Sequence, residues 1–318
     1  MITPRQPRGY VVSTITRKRD SQLRFKRITL ADMDIIRPML MQSGCRTCDF
    51  SIGGTYMWID YFDYSYCVFN DTLFIKGVTE DDVTRPAFSL PVGKMGLEES
   101  VAVLRDYCNA NDMSLQFSAV PEEYVDKLRA LGAVKVDKLD DWSDYLYDAQ
   151  ALASLSGKKL SKKRNHVNRF MADNPDYRLL PLTTDMLPAV KAFFHATHLP
   201  LSKPALADIE REQVMRVLDN LEHYPFEGAV LTTPSDGIVA FTIGEVIGDT
   251  LHVHIEKMNH DVAGAGETIN KLFAEMMTNR HPEIIYINRQ EDVGDPGLRH
   301  AKESYHPLKL LDKYNVMM

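Results

Sequence analysis

Apolar residues along this chain recur at two periods, and the places where the period changes mark its elements. Thr72–Val78 and Ala87–Val92 are short apolar runs bounded by Asp, Pro and Gly, which predicts strands. Apolar positions three and four apart predict a helix over 99–111. A strand pattern follows at 113–120, then a helix over 122–132 that ends at Gly132, and a further strand begins at 133–136. Later, 207–224 reads as a long amphipathic helix. Residues 228–258 hold three apolar stretches parted by Pro234-Ser-Asp-Gly237 and Ile247-Gly-Asp249, which predicts three strands joined by turns. A helix at 266–280, a strand at 283–290 and a short helix at 295–306, begun by Pro296, complete the pattern.

Two stretches share one design. Arg24-Phe-Lys-Arg-Ile-Thr-Leu-Ala-Asp-Met33 leads into an apolar helix, and so does Arg178-Leu-Leu-Pro-Leu-Thr-Thr-Asp-Met186. Each reads as a short strand, a Thr, an Asp-Met pair and a helix. Thr or Asp is a natural cap there, because its oxygen accepts an otherwise orphaned N–H of the first turn. Two related units in tandem explain the match, with chance likeness of two helix starts as the competing account.

A meander of strands followed by helix, strand and helix resembles the GNAT acyltransferase fold, and two such units resemble the Fem-type aminoacyl transferases. The expected class is therefore α/β (α+β), with two tandem GNAT-like domains, each a mixed, mostly antiparallel sheet flanked by helices. Residues 1–20 are expected to be a loose arm, 21–149 the first unit, 150–176 a basic interdomain helix and 177–318 the second unit.

Composition changes this picture at one place. The chain has 318 residues and a formal net charge of -7, yet Gly157-Lys-Lys-Leu-Ser-Lys-Lys-Arg-Asn-His-Val-Asn-Arg-Phe170 contains no acid. Six of the 37 lysines and arginines fall inside it. Like charges at helical neighbours repel, so a segment that keeps Lys158, Lys162, Lys163, Arg164 and Arg169 together has an anion to meet; a solvated basic helix is the bland reading. No apolar run is long enough to span a membrane and the start lacks a secretory pattern, so a cytoplasmic protein with reduced thiols is expected. Cys45 and Cys48 form a C-x-x-C pair without a second pair or a matching His pair, so ordinary buried thiols are favoured over a metal or redox centre.

The basic segment resembles a G-K-K-x-x-K-K-R-N-x-x-x-x-F block of the bacterial family named for the C-terminal domain of phosphatidylglycerol lysyltransferase. Asn288–Pro307, NRQEDVGDPGLRHAKESYHP, together with Asp312-Lys-Tyr314, resembles that family's N-R-E-x-D-x-G-x-x-G-L-R-x-A-K-x-S-Y-x-P pattern. Cys48-Asp-Phe-Ser51, with Trp58 further on, and Ile255–Asn259 match more loosely. One departure is Gln290, where the family carries an acid. The resemblance implies acyl or aminoacyl transfer, with a charged tRNA as the donor and a small amine, peptide or lipid head group as the acceptor. The alternatives are a non-catalytic domain binding an anionic ligand or nucleic acid, and an acetyl-CoA-dependent N-acetyltransferase.

Acyl transfer needs a base, donors for the carbonyl oxygen and an acid for the leaving group. Strand alternation places His252, His254 and Glu256 on one face, with Glu256 the candidate base and the two histidines polar core residues rather than metal ligands. After this strand, Asn259–Gly266 leads into a helix. CoA-dependent relatives cradle a pyrophosphate at this place. Here Gly264 and Gly266 remain, but the basic start is missing and Asp261 adds negative charge, so CoA is disfavoured and no cofactor is expected. Tyr305 is the candidate acid, with a packed tyrosine as the alternative. Asn259, Asn288, Arg289, Arg299 and Lys302 are candidate substrate-binding residues, although Glu291, Asp292 and Asp295 are equally fit to pair with the cations.

Overall fold

The computed structural model describes residues 23–80, 82–197 and 204–318; the expected N-terminal arm at 1–20 lies outside them. The described strands are β1 Lys26–Arg27, β2 Ser65–Phe69, β3 Thr72–Val78, β4 Pro86–Phe88, β5 Val92–Gly93, β6 Gln116–Pro121, β7 Lys135–Lys138, β8 Asp144–Asp148, β9 Arg178–Pro181, β10 Glu227–Thr233, β11 Gly237–Ile247, β12 Thr250–Met258, β13 Tyr286–Asn288, β14 Lys309–Leu311 and β15 Lys313–Met317. The helices are α1 Met33–Leu40, α2 Ile52–Tyr56, α3 Leu97–Ala110, α4 Glu122–Ala130, α5 Ala149–Ser154, α6 Ser161–Asp173, α7 Leu187–Thr197, α8 Pro204–Asp219, α9 Ala265–Arg280 and α10 Pro296–Glu303.

They build two mixed sheets flanked by helices. The first runs β1-β2-β3-β4-β6-β15-β7, with β5 added against β3, and the second runs β9-β10-β11-β12-β13-β8-β14. Both are mostly antiparallel, and each has one parallel step at the same position, β4 to β6 and β12 to β13. The two matched sequence starts become edge strands, β1 and β9, each feeding a single tight turn and then α1 or α7.

The expected boundaries at 149 and 177 cut across this plan. Strand β8, assigned by sequence to the first unit, pairs with β13 and β14 in the second sheet. The last strand, β15, leaves the second sheet and inserts between β6 and β7 of the first. The chain therefore crosses between the sheets twice at one place, after β7 and after β14. The crossings are tied together: Leu139 N–H donates to the Lys313 carbonyl at 2.9 Å, Ser143 Oγ to Asp312 Oδ1 at 2.8 Å, and Lys138 pairs with Asp312 at 2.8 Å.

Three apolar clusters hold the layers. Leu104, Phe117, Leu128 and Val316 pack α3 and α4 on the outer face of the first sheet. Ile36, Tyr56, Leu73, Phe194, Leu218 and Phe241 fill the space between the sheets, joining α1, α2, α7 and α8 into one core. Phe170, Leu251, Ile269, Phe273 and Met277 pack α6 and α9 on the outer face of the second sheet. A core shared between both sheets makes them one cooperative body rather than two independent ones.

The basic segment is not the continuous helix expected over 150–176. Asp148 caps α5 by accepting from Ala151 N–H at 2.7 Å, and Leu155 (φ 49°) and Gly157 (φ 81°) then reverse the chain before α6 starts. Helix α6 stops at Asp173, where Asn174-Pro175 forbids another turn.

Because β15 is an interior strand, its removal takes away the ladder partner of β7, leaves β6 paired only with β4 through Phe117–Phe88, and exposes Val316. A chain ending at Asp312 is expected to lose its cooperative thermal transition. A melting curve by circular dichroism with an unchanged midpoint would refute this.

Candidate functional site

Two polar clusters stand at the ends of the second sheet's inner strands. The first lies at the crossings. Lys313, at the start of β15, is 1% exposed, and Asp144, at the start of β8, is fully buried. Lys313 Nζ lies 2.8 Å from Asp144 Oδ1, 2.8 Å from Asp49 Oδ2 and 3.7 Å from Glu291 Oε2. It also donates to Cys48 Sγ at 3.3 Å. Asp144 accepts in addition from Cys48 N–H at 2.6 Å and from Asn288 Nδ2 at 2.8 Å.

One ammonium cannot neutralise three carboxylates, so the acids titrate apart. Burial opposes ionisation of Asp144, but the Lys313 charge and these hydrogen bonds overcome it and hold its carboxyl below the ordinary range. Burial pushes Asp49 and Glu291 up, which favours their protonated forms. Burial, then the Asp144 charge, pushes the Cys48 thiol well up, and burial raises Cys45 to about 12; both thiols are free. Cys48, Asp49 and Asp144 are close enough to hold a cation, and the Lys313 ammonium occupies that position.

The second cluster lies where two strands part. The parallel ladder of β12 with β13 runs from Thr250–Tyr286 to His252–Asn288 and stops, while β12 continues to Met258 against β11 alone. Glu256 and Arg289 meet beyond the end of that ladder, with Arg289 Nη2 2.8 Å from Glu256 Oε1. Asn270, on α9, donates through Nδ2 to Glu256 Oε2 at 3.2 Å. The Arg289 guanidinium stands 4.9 Å from the Tyr305 ring centre and 5.9 Å from that of Tyr147. Burial opposes the Arg289 charge and Glu256 more than restores it, while burial holds Tyr305 protonated far above neutral pH.

The expected common face of His252, His254 and Glu256 is not formed. The β11–β12 register slips between Ile243 and Gly244, which leaves His254 as an extra residue on β12. Before the bulge Val253 packs toward α9; after it Ile255 packs toward the space between the sheets. Alternation is thereby inverted, and Glu256 turns to α9, away from the histidines. His254 instead bonds Glu245 at 2.9 Å and Gln290 at 2.6 Å, while both His252 ring nitrogens are buried without a partner. Gly53 is required against this pair, because a Cβ there would lie 2.3 Å from the His254 ring.

The other candidates divide. Asn288 is fully buried and orders the crossing, donating to the Arg46 carbonyl at 2.7 Å and accepting from Gln290 N–H at 2.7 Å. Asn259 closes its own turn on Asp261 N–H at 3.0 Å. Arg299 is engaged by Asp292, twice at 2.9 Å, and by Asp141 at 2.9 Å. Lys302 donates to the carbonyls of Arg289, Gln290 and Glu291, and burial pulls it down to about 8. Both cations thus serve the loop that carries Arg289, rather than facing an open site.

In the basic segment, Arg164 donates to the carbonyls of Leu155 at 2.5 Å and Gly157 at 3.1 Å. Arg169 pairs with Asp173 at 3.5 Å. Lys163 lies 3.3 Å from Glu267 and 4.4 Å from the Tyr305 ring centre. Lys158 and Lys162 are exposed, without an ion-pair partner among the described residues. Helix α6 also sits on the start of α9: Gly264 (φ 82°) leaves no room for a Cβ, which would lie 2.7 Å from the His166 carbonyl oxygen.

A family model for the C-terminal region of phosphatidylglycerol lysyltransferase matches residues 42–317. The chain belongs to that family. A conserved protein of unknown function from Bacteroides thetaiotaomicron shares 32% identity with a TM-score of 0.83, over 93% of this chain and all of that one. Two more distant structures share the fold. L-PGS from Bacillus licheniformis has 13% identity and a TM-score of 0.62, over 89% of this chain and 91% of that one. FemX has 8% identity and a TM-score of 0.57, over 93% and 97%. An uncharacterized protein of Mycoplasmoides gallisepticum is 22% identical over 177 residues, and the match spans 56% of its length. The family is named for a lysyltransferase, which relates the chain to aminoacyl transferases. No helix among the described residues is long and apolar enough to cross a membrane.

Sequence reading missed Asp144, Lys313 and Asn270. Lys313 entered the sequence reading only within the Asp312-Lys-Tyr314 match, without a role, and Asp144 was not singled out; Asn270 sits at a core position of α9, a polar residue in an apolar stripe, which was a usable signal.

Replacing Lys313 with Met leaves Asp144 buried without its counter-charge, and a stability loss of about 3–5 kcal/mol is expected in urea unfolding. A loss below about 1 kcal/mol would show that the acids simply take up protons. His252 titrates in a separate experiment. Burial, then the His254 charge, lowers its pKa from 6.5 to about 4, so the unfolded chain binds a proton that the folded chain refuses. Stability from this group is full above 6.5 and falls with pH toward 4. Glu80, raised by burial to about 7, acts in the opposite sense as pH rises from 4.5. The difference between wild type and His252→Leu isolates the histidine: it should change by about 3 kcal/mol across that window. Parallel pH profiles would contradict it.

Proposed function

We propose that this protein is an aminoacyl transferase that takes an amino acid from its tRNA ester and passes it to an amine or hydroxyl of a small amine, peptide or lipid head group. Its two sheets are read as tandem GNAT-like units that have exchanged their last strands. The observation that carries the donor assignment is the position of Lys163. It belongs to the basic helix, yet its ammonium lies 4.4 Å from the ring centre of Tyr305, which also faces Arg289. A polyanion lying along the exposed side of α6, on Lys158 and Lys162, therefore has its end beside the parted strands.

The chemistry follows from the groups gathered there. Attack on the ester carbonyl builds negative charge on its oxygen, and Arg289 supplies a buried, permanently charged donor. The ribose oxygen that leaves needs a proton; Tyr305, held protonated by burial, gives one and takes back the proton that the attacking amine or hydroxyl loses. Glu256, the candidate base, has both oxygens engaged by Arg289 and Asn270, so we assign it to fixing those two side chains. Two observations argue against CoA as donor. Helix α6 covers the start of α9, where a pyrophosphate would be cradled, and Asp261 stands in that turn.

Lys158→Ala with Lys162→Ala is expected to weaken binding of tRNA and to reduce the logarithmic salt slope by roughly 0.7–0.9 per lost contact, without shifting the thermal midpoint. Arg164→Ala is expected to behave differently, costing about 1–3 kcal/mol of stability because it strips a charged donor from two carbonyls. A fluorescence titration across a salt series that is unaltered by the double substitution would remove α6 as the anion site.

A further inference from the structure

The neighbourhood of Glu256 contains two polar atoms that are buried and have no partner: Arg289 Nη1 and Asn270 Oδ1. Asn270 is 4% exposed. Its amide orientation is dictated by Glu256, since the reverse would point Oδ1 at the carboxylate 3.2 Å away. Oδ1 is therefore an acceptor without a donor, and Arg289 Nη1 is a donor without an acceptor. Both side chains are fixed through their other nitrogen by the same carboxylate, at 2.8 Å and 3.2 Å. Unsatisfied buried groups are costly, and a complementary pair on one carboxylate marks a place built to meet a ligand.

The complement of this pair is a molecule with an N–H donor a few bonds from a carbonyl oxygen. Negative charge on Glu256 beside Asn270 Oδ1 favours a cationic donor, and the guanidinium favours an oxygen that gathers negative charge. An α-amino acyl ester satisfies both: its ammonium and its carbonyl are joined through one carbon. We propose that Asn270, with Glu256 beside it, receives the α-ammonium of the donor's amino acid while Arg289 Nη1 receives its acyl carbonyl oxygen. The site thus selects a free α-amine. This inference rests on the aminoacyl-transfer reading and narrows it. The parted ends of β12 and β13 are the gap in which the acyl group lies. Tyr147 and Tyr305 present ring faces to Arg289 there, so its charge is met by π-systems and one carboxylate rather than by a second acid.

The test compares three ligands on the full chain: a mixed pool of aminoacyl-tRNA, the same pool N-acetylated, and deacylated tRNA. The free-amine form is expected to bind about tenfold more tightly than the N-acetylated one, the worth of one charge-assisted hydrogen bond. Asn270→Leu, similar in volume, should abolish that preference and leave deacylated tRNA affinity unchanged. Equal affinity of the wild type for free and N-acetylated forms overturns the proposal while leaving tRNA as donor, and needs no variant. If no form of tRNA binds, the donor reading falls instead. The ammonium site is then judged with a panel of amino-acid amides and their N-acetyl counterparts by NMR shift perturbation at Asn270. A response to the free amides alone supports it, and no response or an equal response defeats it.

Discussion

The ion pair of Lys313 with Asp144 is the interaction on which the arrangement depends. Each residue opens a strand that has left one sheet for the other, and the two meet at 2.8 Å with almost no exposure. A buried pair of this kind adds little net stability over an apolar alternative, because desolvation offsets the attraction. Its value is in discrimination: a shifted register or an unexchanged strand would leave an isolated buried charge. Burial pushes the surrounding acids, Asp49 and Glu291, up, while the Lys313 charge opposes that shift in both.

From that crossing the rest of the site is laid out. Asn288 binds Asp144 with its side chain and ends the short parallel ladder with its backbone. Arg289, the next residue, is thereby delivered to the gap beyond the ladder, and Lys302 and Arg299 hold the loop that follows. The bulge at His254 performs the matching operation on β12, turning Glu256 from the histidine face to the α9 face. A one-residue slip in a strand reverses every following side chain, and here it decides which carboxylate meets Arg289.

The basic helix has three roles rather than one. Arg164 closes the turn after α5, Lys163 reaches Tyr305, and Lys158 and Lys162 stay exposed without an ion-pair partner among the described residues. Charge of one sign in one segment is therefore divided between groups spent on the protein and groups left exposed, and only the contacts of each side chain separate the two. The same holds for Arg299 and Lys302, whose spacing suits a phosphate but whose charges are spent on Asp292 and on three carbonyls.

Much of the fold was legible in the sequence. Period changes located the three-stranded meander of β10 to β12, helices α3, α4 and α9, and the paired starts at β1 and β9, because each buries one apolar face and so writes it into the residue order. The family was legible as well, through Asn288–Pro307 and the basic block. The exchange of β8 and β15 was not, since strand pairing between distant segments leaves no local period. Lys313 and Asn315 even place polar side chains at buried positions of β15. Of the candidate site, Glu256, Arg289 and Tyr305 were named from the sequence and the structure brings their side chains together, whereas Asn270 and the facing of Glu256 were decided by a bulge and by helix packing. Sequence by itself determined those helices and strands that write one buried face into the residue order, and, through its motifs, the family. Only the tertiary structure decided which charges are spent on the protein and which are left exposed, because a charge is satisfied by neighbours that the chain brings from far away.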